Sequence, residues 1–352
     1  MVRGRQAIGP ELESYVIAEI GTNHNRSFET AREMLDALAG TGCDCAKFQV
    51  YEPDEIVSAR VRASDYGFDG LYGDISAQEM FERHLKTPKT WFPALRDLCH
   101  SLGMDFSATI HGASGLAWAR ETGLDIVKVA SMDNTNLPFL RSLVNAVDAP
   151  ILVSLGMASL SDADAVFAAT REHERGLGLF HCCSIYPPGP GELRLPNIPF
   201  LVQRYPVPVG FSDHTVETED ALGARRLGAM MFEKHVTLDR TQPGPDHSFA
   251  MEMGPFKAYV DALKRQPVEE APAGEFLDVS ERERLNRLVA LKSIISRRSL
   301  EAGHVLSDDD VYLARPGSGI EPGALPQVMG RRLARPVAAE TPLQWEDVER
   351  DT

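Results

Sequence analysis

Ser14-Tyr-Val-Ile-Ala-Glu-Ile20 leads through a short polar turn into Ser27-Phe-Glu-Thr-Ala-Arg-Glu-Met-Leu-Asp-Ala-Leu-Ala39, and this pair decides how the chain is read. The first stretch is short, apolar and rich in branched residues, as befits a strand buried on both faces. The second repeats Phe28, Ala31, Leu35 and Leu38 at helical spacing, with Ser27 placed to cap its first turn. The alternation then recurs. Strands are expected at Cys45–Tyr51, Met104–Ala108, Ile126–Ala130, Pro150–Ser154, Gly178–Cys182, Val207–Ser212 and Met230–Val236, which makes eight. Helix starts are read at Thr87-Pro88 and at a Ser161/Asp164 capping-box pair. Eight strand–helix units over about 250 residues is the arithmetic of a (β/α)8 TIM barrel. A doubly wound open sheet competes, but no GxGxxG follows the first strand.

The barrel reading takes residues 1–265. Residues 266–290, with Pro267, Pro272, Gly274 and a run of charges, read as a linker with room for a short helix. Residues 291–352 form a small, mostly β module with an internal echo. Ala302-Gly-His-Val-Leu-Ser-Asp-Asp-Asp-Val311 resembles Ala339-Glu-Thr-Pro-Leu-Gln-Trp-Glu-Asp-Val348, each a turn, a Leu anchor and an acidic helical turn ending in Val. So small a core predicts docking on a larger surface.

The 352 residues carry 36 Lys+Arg against 51 Asp+Glu, a net charge of −15 with no basic block. That disfavours nucleic acid and anionic membranes as partners, since both demand a basic face. Cys43, Cys45, Cys99 and the vicinal Cys182–Cys183 form no finger spacing and read as reduced thiols. No export segment or membrane span is read, so the expected location is cytoplasmic.

In a barrel the chemistry sits at the C-terminal strand ends. There the sequence offers Glu19, Lys47 with Gln49, Thr109, Lys128 then Ser131, Ser154, Ser184 with Tyr186, Ser212-Asp213-His214, and Glu233-Lys234-His235. Alternation puts Lys47 with Gln49, Ser212 with His214, and Glu233 with His235 on one face. Two lysines and several hydroxyls there suit a phosphate and a carboxylate; one isolated lysine would more readily snorkel to the surface. His214 and His235, beside Glu19, Glu233 and Asp213, suit a shared Mn²⁺ or another first-row ion as well as they suit two satisfied core histidines. Asp246 lies in a proline-rich loop over the barrel mouth, facing either a sugar hydroxyl or solvent. Arg315 stands at an exposed tip of the module.

Ile17-Ala-Glu-Ile-Gly-Thr-Asn-His24, Ala46-Lys-Phe-Gln49, Val127-Lys-Val-Ala-Ser131, His181-Cys-Cys-Ser-Ile-Tyr-Pro187, Gly210-Phe-Ser-Asp-His-Thr215, Phe232-Glu-Lys-His-Val-Thr237 and Pro243-Gly-Pro-Asp246 together resemble the N-acetylneuraminate (sialic acid) synthase family. The tail from Ser293, including Ala314-Arg-Pro-Gly-Ser-Gly319, looks like that family's antifreeze-like (SAF) domain. The resemblance implies condensation of phosphoenolpyruvate with an open-chain N-acylhexosamine, N-acetylmannosamine or a related sugar, to a nine-carbon 2-keto sugar acid plus phosphate. It implies that Lys47, Thr109, Lys128, Ser131, Ser154, Ser184 and Ser212 hold phosphoenolpyruvate. Gln49, Tyr186, Glu233, Asp246 and Arg315 would line the sugar side. His214 and His235 would hold a divalent metal, Mn²⁺ first and Mg²⁺ or Co²⁺ as alternatives. Glu19, with Lys47, Lys128 and Asp246, would carry the chemistry. It further implies a homodimer in which the SAF domain caps the partner's barrel, bringing Arg315 into the partner's site.

The chain departs from the family pattern at Cys183-Ser184, at Leu155 in Ser154-Leu-Gly-Met157, at Met132 in Ser131-Met-Asp133, and at Arg26, where glycine is customary. Arg26 is read as marking a charged or differently acylated acceptor. Two rival readings are a condensation with a sugar phosphate, as in 3-deoxy-octulosonate-phosphate synthase, and a non-catalytic barrel serving binding or assembly.

Overall fold

The computed structural model describes residues 2–3, 7–9, 12–189, 191–269 and 273–349, so Pro272 of the expected linker lies outside them. Eight parallel strands close into a barrel: β1 (Tyr15–Glu19), β2 (Cys45–Val50), β3 (Asp105–Ile110), β4 (Ile126–Val129), β5 (Ile151–Ser154), β6 (Leu177–Cys182), β7 (Val209–Asp213) and β8 (Met231–Thr237). Closure is made by β8, which pairs with both β7 and β1. Every expected strand is present, with ends moved by no more than a few residues. The open-sheet alternative is thereby excluded.

Helix α1 (Phe28–Ala39) begins as read, Ser27 Oγ accepting from Thr30 N–H at 3.2 Å. Two helix starts differ from expectation. Thr87 is buried against His24 (2.7 Å), and after a 3₁₀ turn the regular helix α2 (Phe92–Ser101) begins only at Phe92. Helix α3 (Leu160–Thr170) is capped by a Ser159/Asp162 box, two residues before the expected Ser161/Asp164 pair. Asp164 instead accepts from Arg204 and Tyr205.

Inside the barrel, Ile17, Cys45, Ile126, Leu152, Phe180 and Met231 form an apolar plug. The inward residues one step further along the strands are polar, and they floor the mouth. Outward residues such as Phe48, Phe106 and Phe211 pack against the helices. Asp213 belongs to this outward set. It pairs with Lys234 at 2.9 Å between barrel and helices, so it stands apart from the two histidines it was expected to accompany.

Between β2 and α2 the chain makes a long excursion of short helical turns with small cores of its own, including Tyr51, Ile56, Val57, Met80 and Leu85. It builds a wall above the mouth. Within the expected linker, Glu281–Ala290 forms a helix that packs on the barrel: Glu283 is fully buried against Arg194 (2.6 Å), and Arg287 reaches Asp162 at 2.9 Å.

The C-terminal module pairs Ser293–Ser296 antiparallel with Val311–Ala314 and adds isolated bridges such as Leu300↔Val337 and Leu333↔Val348. Its echo is structural. Ser307/Asp310 and Gln344/Asp347 are matching capping boxes, and the matching anchors Leu306, Leu343, Val311 and Val348 share one core. The module seats on the barrel of its own chain: Arg315 N–H donates to Ile56 C=O, and Ser58 N–H to Arg315 C=O, both at 2.9 Å. The expectation from resemblance put Arg315 on a partner's barrel; in this single chain it enters its own.

Candidate active site

All fifteen residues that the resemblance assigns to the site line one cavity of about 380 Å³ at the barrel mouth. Strand pairing explains their convergence. Neighbouring strands align His235 with Glu19, Glu19 with Lys47, Gln49 with Thr109, Thr109 with Lys128, and Ser212 with Glu233. One inward parity thus gathers charges from all round the ring.

Lys47 Nζ lies 2.7 Å from Glu19 Oε2 and 3.5 Å from Glu233 Oε2, and donates to Thr109 Oγ1 at 2.8 Å. Lys128 Nζ lies 3.7 Å from the same Glu233 oxygen and donates to Ser154 Oγ. Burial favours the neutral form of Lys47, but Glu19 and Glu233 outweigh it and raise its pKa. For Lys128 burial prevails and the pKa falls. Burial likewise pushes Glu19 up, to about 7, against the pull of Lys47. Burial opposes ionisation of Glu233 too, yet the two ammoniums overcome it and hold its carboxyl low.

A hydroxyl-lined space opens at the Ser131 and Ser184 loops. Gly156 sits at φ +42°, and a Cβ there would stand 2.2 Å from Ser131 Oγ and 2.5 Å from Ser184 Oγ. Its hydrogen atom leaves room between two hydroxyls, and the Ser184 hydroxyl is buried with no protein partner. The Ser184 loop is held from the Glu281–Ala290 helix: Ser184 N–H donates to Glu283 Oε1 at 3.1 Å, and Asn286 donates to Ser184 C=O at 2.7 Å. This is the short helix for which the expected linker had room, and Ser280 and Glu283 form its capping box.

On the opposite side, Gln49 donates to Glu19 Oε1 at 2.9 Å and Thr22 to Asp246 Oδ2 at 3.2 Å. Gly21, at φ +54°, keeps the space among Glu19, Gln49 and Asp246 open. Burial raises the Asp246 carboxyl to about 6, with Thr22 pulling the other way. The rings of His214 and His235 lie 5.7 Å apart, flanked by Tyr186 and Phe249. His214 Nδ1 is engaged by Cys183 C=O at 2.8 Å, which leaves Nε2 with its lone pair. His235 Nδ1 is buried without a hydrogen bond and stands 3.7 Å from Asp246 Oδ2. Burial depresses both histidines, His214 to about 4, so both rings are neutral, the form that binds metals. Among the described residues no group of three or more His, Cys, Asp or Glu side chains is placed to hold a metal ion. Two neutral imidazoles are the donors on offer, and an ion held by them would take its remaining ligands from water and substrate.

The sequence reading missed the upper wall. Tyr66, Phe68, Met80, Phe81 and Leu85 come from the excursion, and Met132, His111, Phe249 and Val289 complete it. Apolar residues in a long loop carry no periodic signal, so only tertiary placement reveals them. Arg315 enters from the module over the Tyr66 ring (5.9 Å), with its Nε buried and unpartnered. Arg26 does not line the cavity; it lies 3.9 Å from Glu82. The five cysteines are free and buried, and no helix among the described residues is long and apolar enough to cross a membrane.

A closed (β/α)8 barrel with a polar, lysine-bearing mouth capped by a small β module defines a class of protein, and sequence comparison assigns it. Residues 34–271 match the NeuB family and residues 292–349 the SAF domain, so the chain belongs to the NeuB family. It is 30% identical to the N,N'-diacetyllegionaminic acid synthase of Legionella pneumophila over 99% of this chain and 98% of that protein. It is 27% identical to the N-acetylneuraminate-9-phosphate synthase of Drosophila melanogaster over 94% of each. The crystal structure of the spore coat polysaccharide biosynthesis protein SpsE from Bacillus subtilis superposes with a TM-score of 0.82 at 26% identity, covering 98% of both chains.

Proposed function

We propose that this protein is a phosphoenolpyruvate-dependent nonulosonate synthase, joining phosphoenolpyruvate to an open-chain N-acylhexosamine and releasing phosphate. The observation that carries this reading is the pair of buried lysines beside the space that Gly156 leaves between Ser131 and Ser184. Two ammoniums and a ring of hydroxyls meet a carboxylate and a phosphate held on one small molecule. The family membership and the two synthases named above support the same chemistry.

The enol carbon of phosphoenolpyruvate attacks the sugar aldehyde, forming the new C–C bond and leaving an oxocarbenium-like centre on the phosphate-bearing carbon. Glu19, 2.7 Å from the Lys47 ammonium, supplies negative charge where that centre develops. With a pKa raised to about 7 it also suits the task of holding water and taking its proton. The water oxygen adds to the centre, one of its protons passing by way of Glu19 to the alkoxide left on the former aldehyde oxygen. The C–O bond to phosphate then breaks, the second proton leaves with phosphate, and the 2-keto acid remains. His214 and His235 would hold a divalent ion, Mn²⁺ by the donor set, that supplies Lewis acidity to the aldehyde oxygen when bound. Gln49, Asp246 and Tyr186 orient the sugar; holding two reactants so can lower the barrier by roughly 7–11 kcal/mol.

The upper wall favours an uncharged, acylated acceptor. Arg315 lies over the Tyr66 ring, in a cavity wall to which Phe68, Met80, Phe81 and Leu85 contribute apolar side chains. Its unpartnered Nε suits an amide oxygen, whereas a dianionic sugar phosphate would be buried largely among apolar groups.

Purified protein is incubated with Mn²⁺, phosphoenolpyruvate and a panel of acceptors: N-acetylmannosamine, its 6-phosphate and two diacetamido-trideoxyhexoses. Phosphate release that depends on one acceptor, with the matching nine-carbon keto acid by mass, is the expected result. Failure to bind phosphoenolpyruvate by calorimetry, with no phosphate released, would overturn the reading.

A further inference from the structure

One titratable side chain on the cavity has no part in the chemistry above. His111 follows β3 directly and is 3% exposed. Its backbone is extended (φ −130°, ψ 131°), so its side chain continues the inward parity of Thr109 one step nearer the mouth. Thr109 touches Lys47 on the floor; His111 therefore belongs to the level above, with Met132 and Arg315. Its Nδ1 lies 2.5 Å from Asp133 Oδ2, and its ring meets Tyr51 edge-on at 6.0 Å. Among the described residues no hydrogen-bond partner meets its Nε2.

Asp133 is also held from the module. Lys292 Nζ lies 2.7 Å from Asp133 Oδ1, and both side chains are 1% exposed or less. A carboxylate gripped by an ammonium on one oxygen accepts the Nδ1 proton of His111 on the other. That fixes the ring's tautomer and leaves the Nε2 lone pair facing the cavity.

We propose that His111 is a specificity-determining residue for the acceptor sugar: its Nε2 accepts a hydrogen bond from a hydroxyl or amide N–H beyond the aldehyde carbon. Lys292 and Asp133 are positioning residues that aim it, so seating of the module and recognition of the sugar are one event. This rests on the reading of the cavity as a phosphoenolpyruvate–sugar condensation site. It adds a contact made by the barrel rather than by Arg315, and a reason for the module to be docked before the sugar is gripped.

The test compares His111→Phe and His111→Gln with wild type, using Mn²⁺, phosphoenolpyruvate and the panel sugar that turns over. His111→Phe is expected to lower kcat/KM for the sugar roughly tenfold, the worth of one lost hydrogen bond, with phosphoenolpyruvate affinity by calorimetry unchanged. His111→Gln, whose amide oxygen can replace the Nε2 acceptor, should recover most of that loss. Lys292→Met should lower kcat/KM for the sugar in the same way, and the double variant His111→Phe/Lys292→Met should be no worse than the poorer single variant. Full sugar kcat/KM in His111→Phe, or an equal loss of affinity for both substrates, would overturn the inference while the condensation reading stands. A wild type that neither binds phosphoenolpyruvate nor releases phosphate would overturn both. The two His111 variants decide the matter even where Lys292→Met fails to fold.

Discussion

Lys292, the first residue of the SAF match, places its ammonium 2.7 Å from Asp133 Oδ1 in a contact closed to water. This ion pair joins module to barrel at the turn that also carries Ser131, so it ties docking to the shape of the pocket beside Ser131.

The pair sets how the protein responds to acid. Burial would raise the Asp133 carboxyl, but Lys292 and His111 outweigh it and hold its pKa well below the ordinary carboxylate value. A depressed folded pKa gives stability that is complete above the unfolded value, about 3.9, and is lost as pH falls through the folded value. Asp133→Asn should therefore lower Tm by the same margin at pH 7 and pH 5, with the gap closing only below about pH 4. Breaking one side of such a pair costs roughly 3–5 kcal/mol. Thermal melts across this range check it; a gap that closes between pH 5 and 8 would contradict the assignment.

Gly156→Ala should act on one substrate alone. The added methyl would stand 2.2 Å from Ser131 Oγ and fill the space beside Ser184. Phosphoenolpyruvate KM should rise sharply, while sugar KM is unmoved. A stability loss beyond the roughly 1–2 kcal/mol of the positive φ is expected, since the methyl must also displace the Ser131 and Ser184 side chains. Equal rises in both KM values would remove the phosphate assignment from this pocket.

His235→Ala tests the metal. The substitution removes a neutral, unpartnered imidazole nitrogen, so the fold should survive with Tm little changed. Mn²⁺ binding measured by electron paramagnetic resonance should be lost, and turnover should fall by several orders of magnitude. Chelation of the wild-type protein should reproduce that loss, reversibly on adding Mn²⁺. A variant that still binds Mn²⁺ as tightly would place the ion elsewhere.

Mixing two inactive variants decides whose module caps which barrel. With Arg315 in the cavity of its own chain, as here, co-refolding Arg315→Ala with His235→Ala restores no activity, because no site in any mixture is intact. Activity recovered on mixing would show the module exchanged between two chains, the arrangement that the resemblance to sialic acid synthases implies.

Much of this protein was legible in its sequence because strand periodicity is local. Eight apolar runs and a period of two were enough to place Lys47, Lys128, Glu233 and His235 on one inward face. The same parity turns Asp213, between inward Ser212 and His214, to the outer face. Grouping it with the histidines overlooked that a polar residue inside an apolar strand can serve a buried pair there, as it does with Lys234. The capping boxes of the module were visible as an echo, whereas the box at Ser280/Glu283 lay within charges that look like a linker.

The upper wall and the route of Arg315 were decided by tertiary structure alone. Tyr66, Phe68 and Leu85 gain meaning only when the excursion folds over the mouth. Lys292 and Asp133 are far apart in sequence, and nothing local marks either as paired. Sequence by itself determined the barrel, its polar ring and the module, since each follows from the pattern of side chains along a short element. Which of those polar groups face the substrate, and which hold another residue in place, depends on long-range packing that excludes water from chosen pairs and leaves others open.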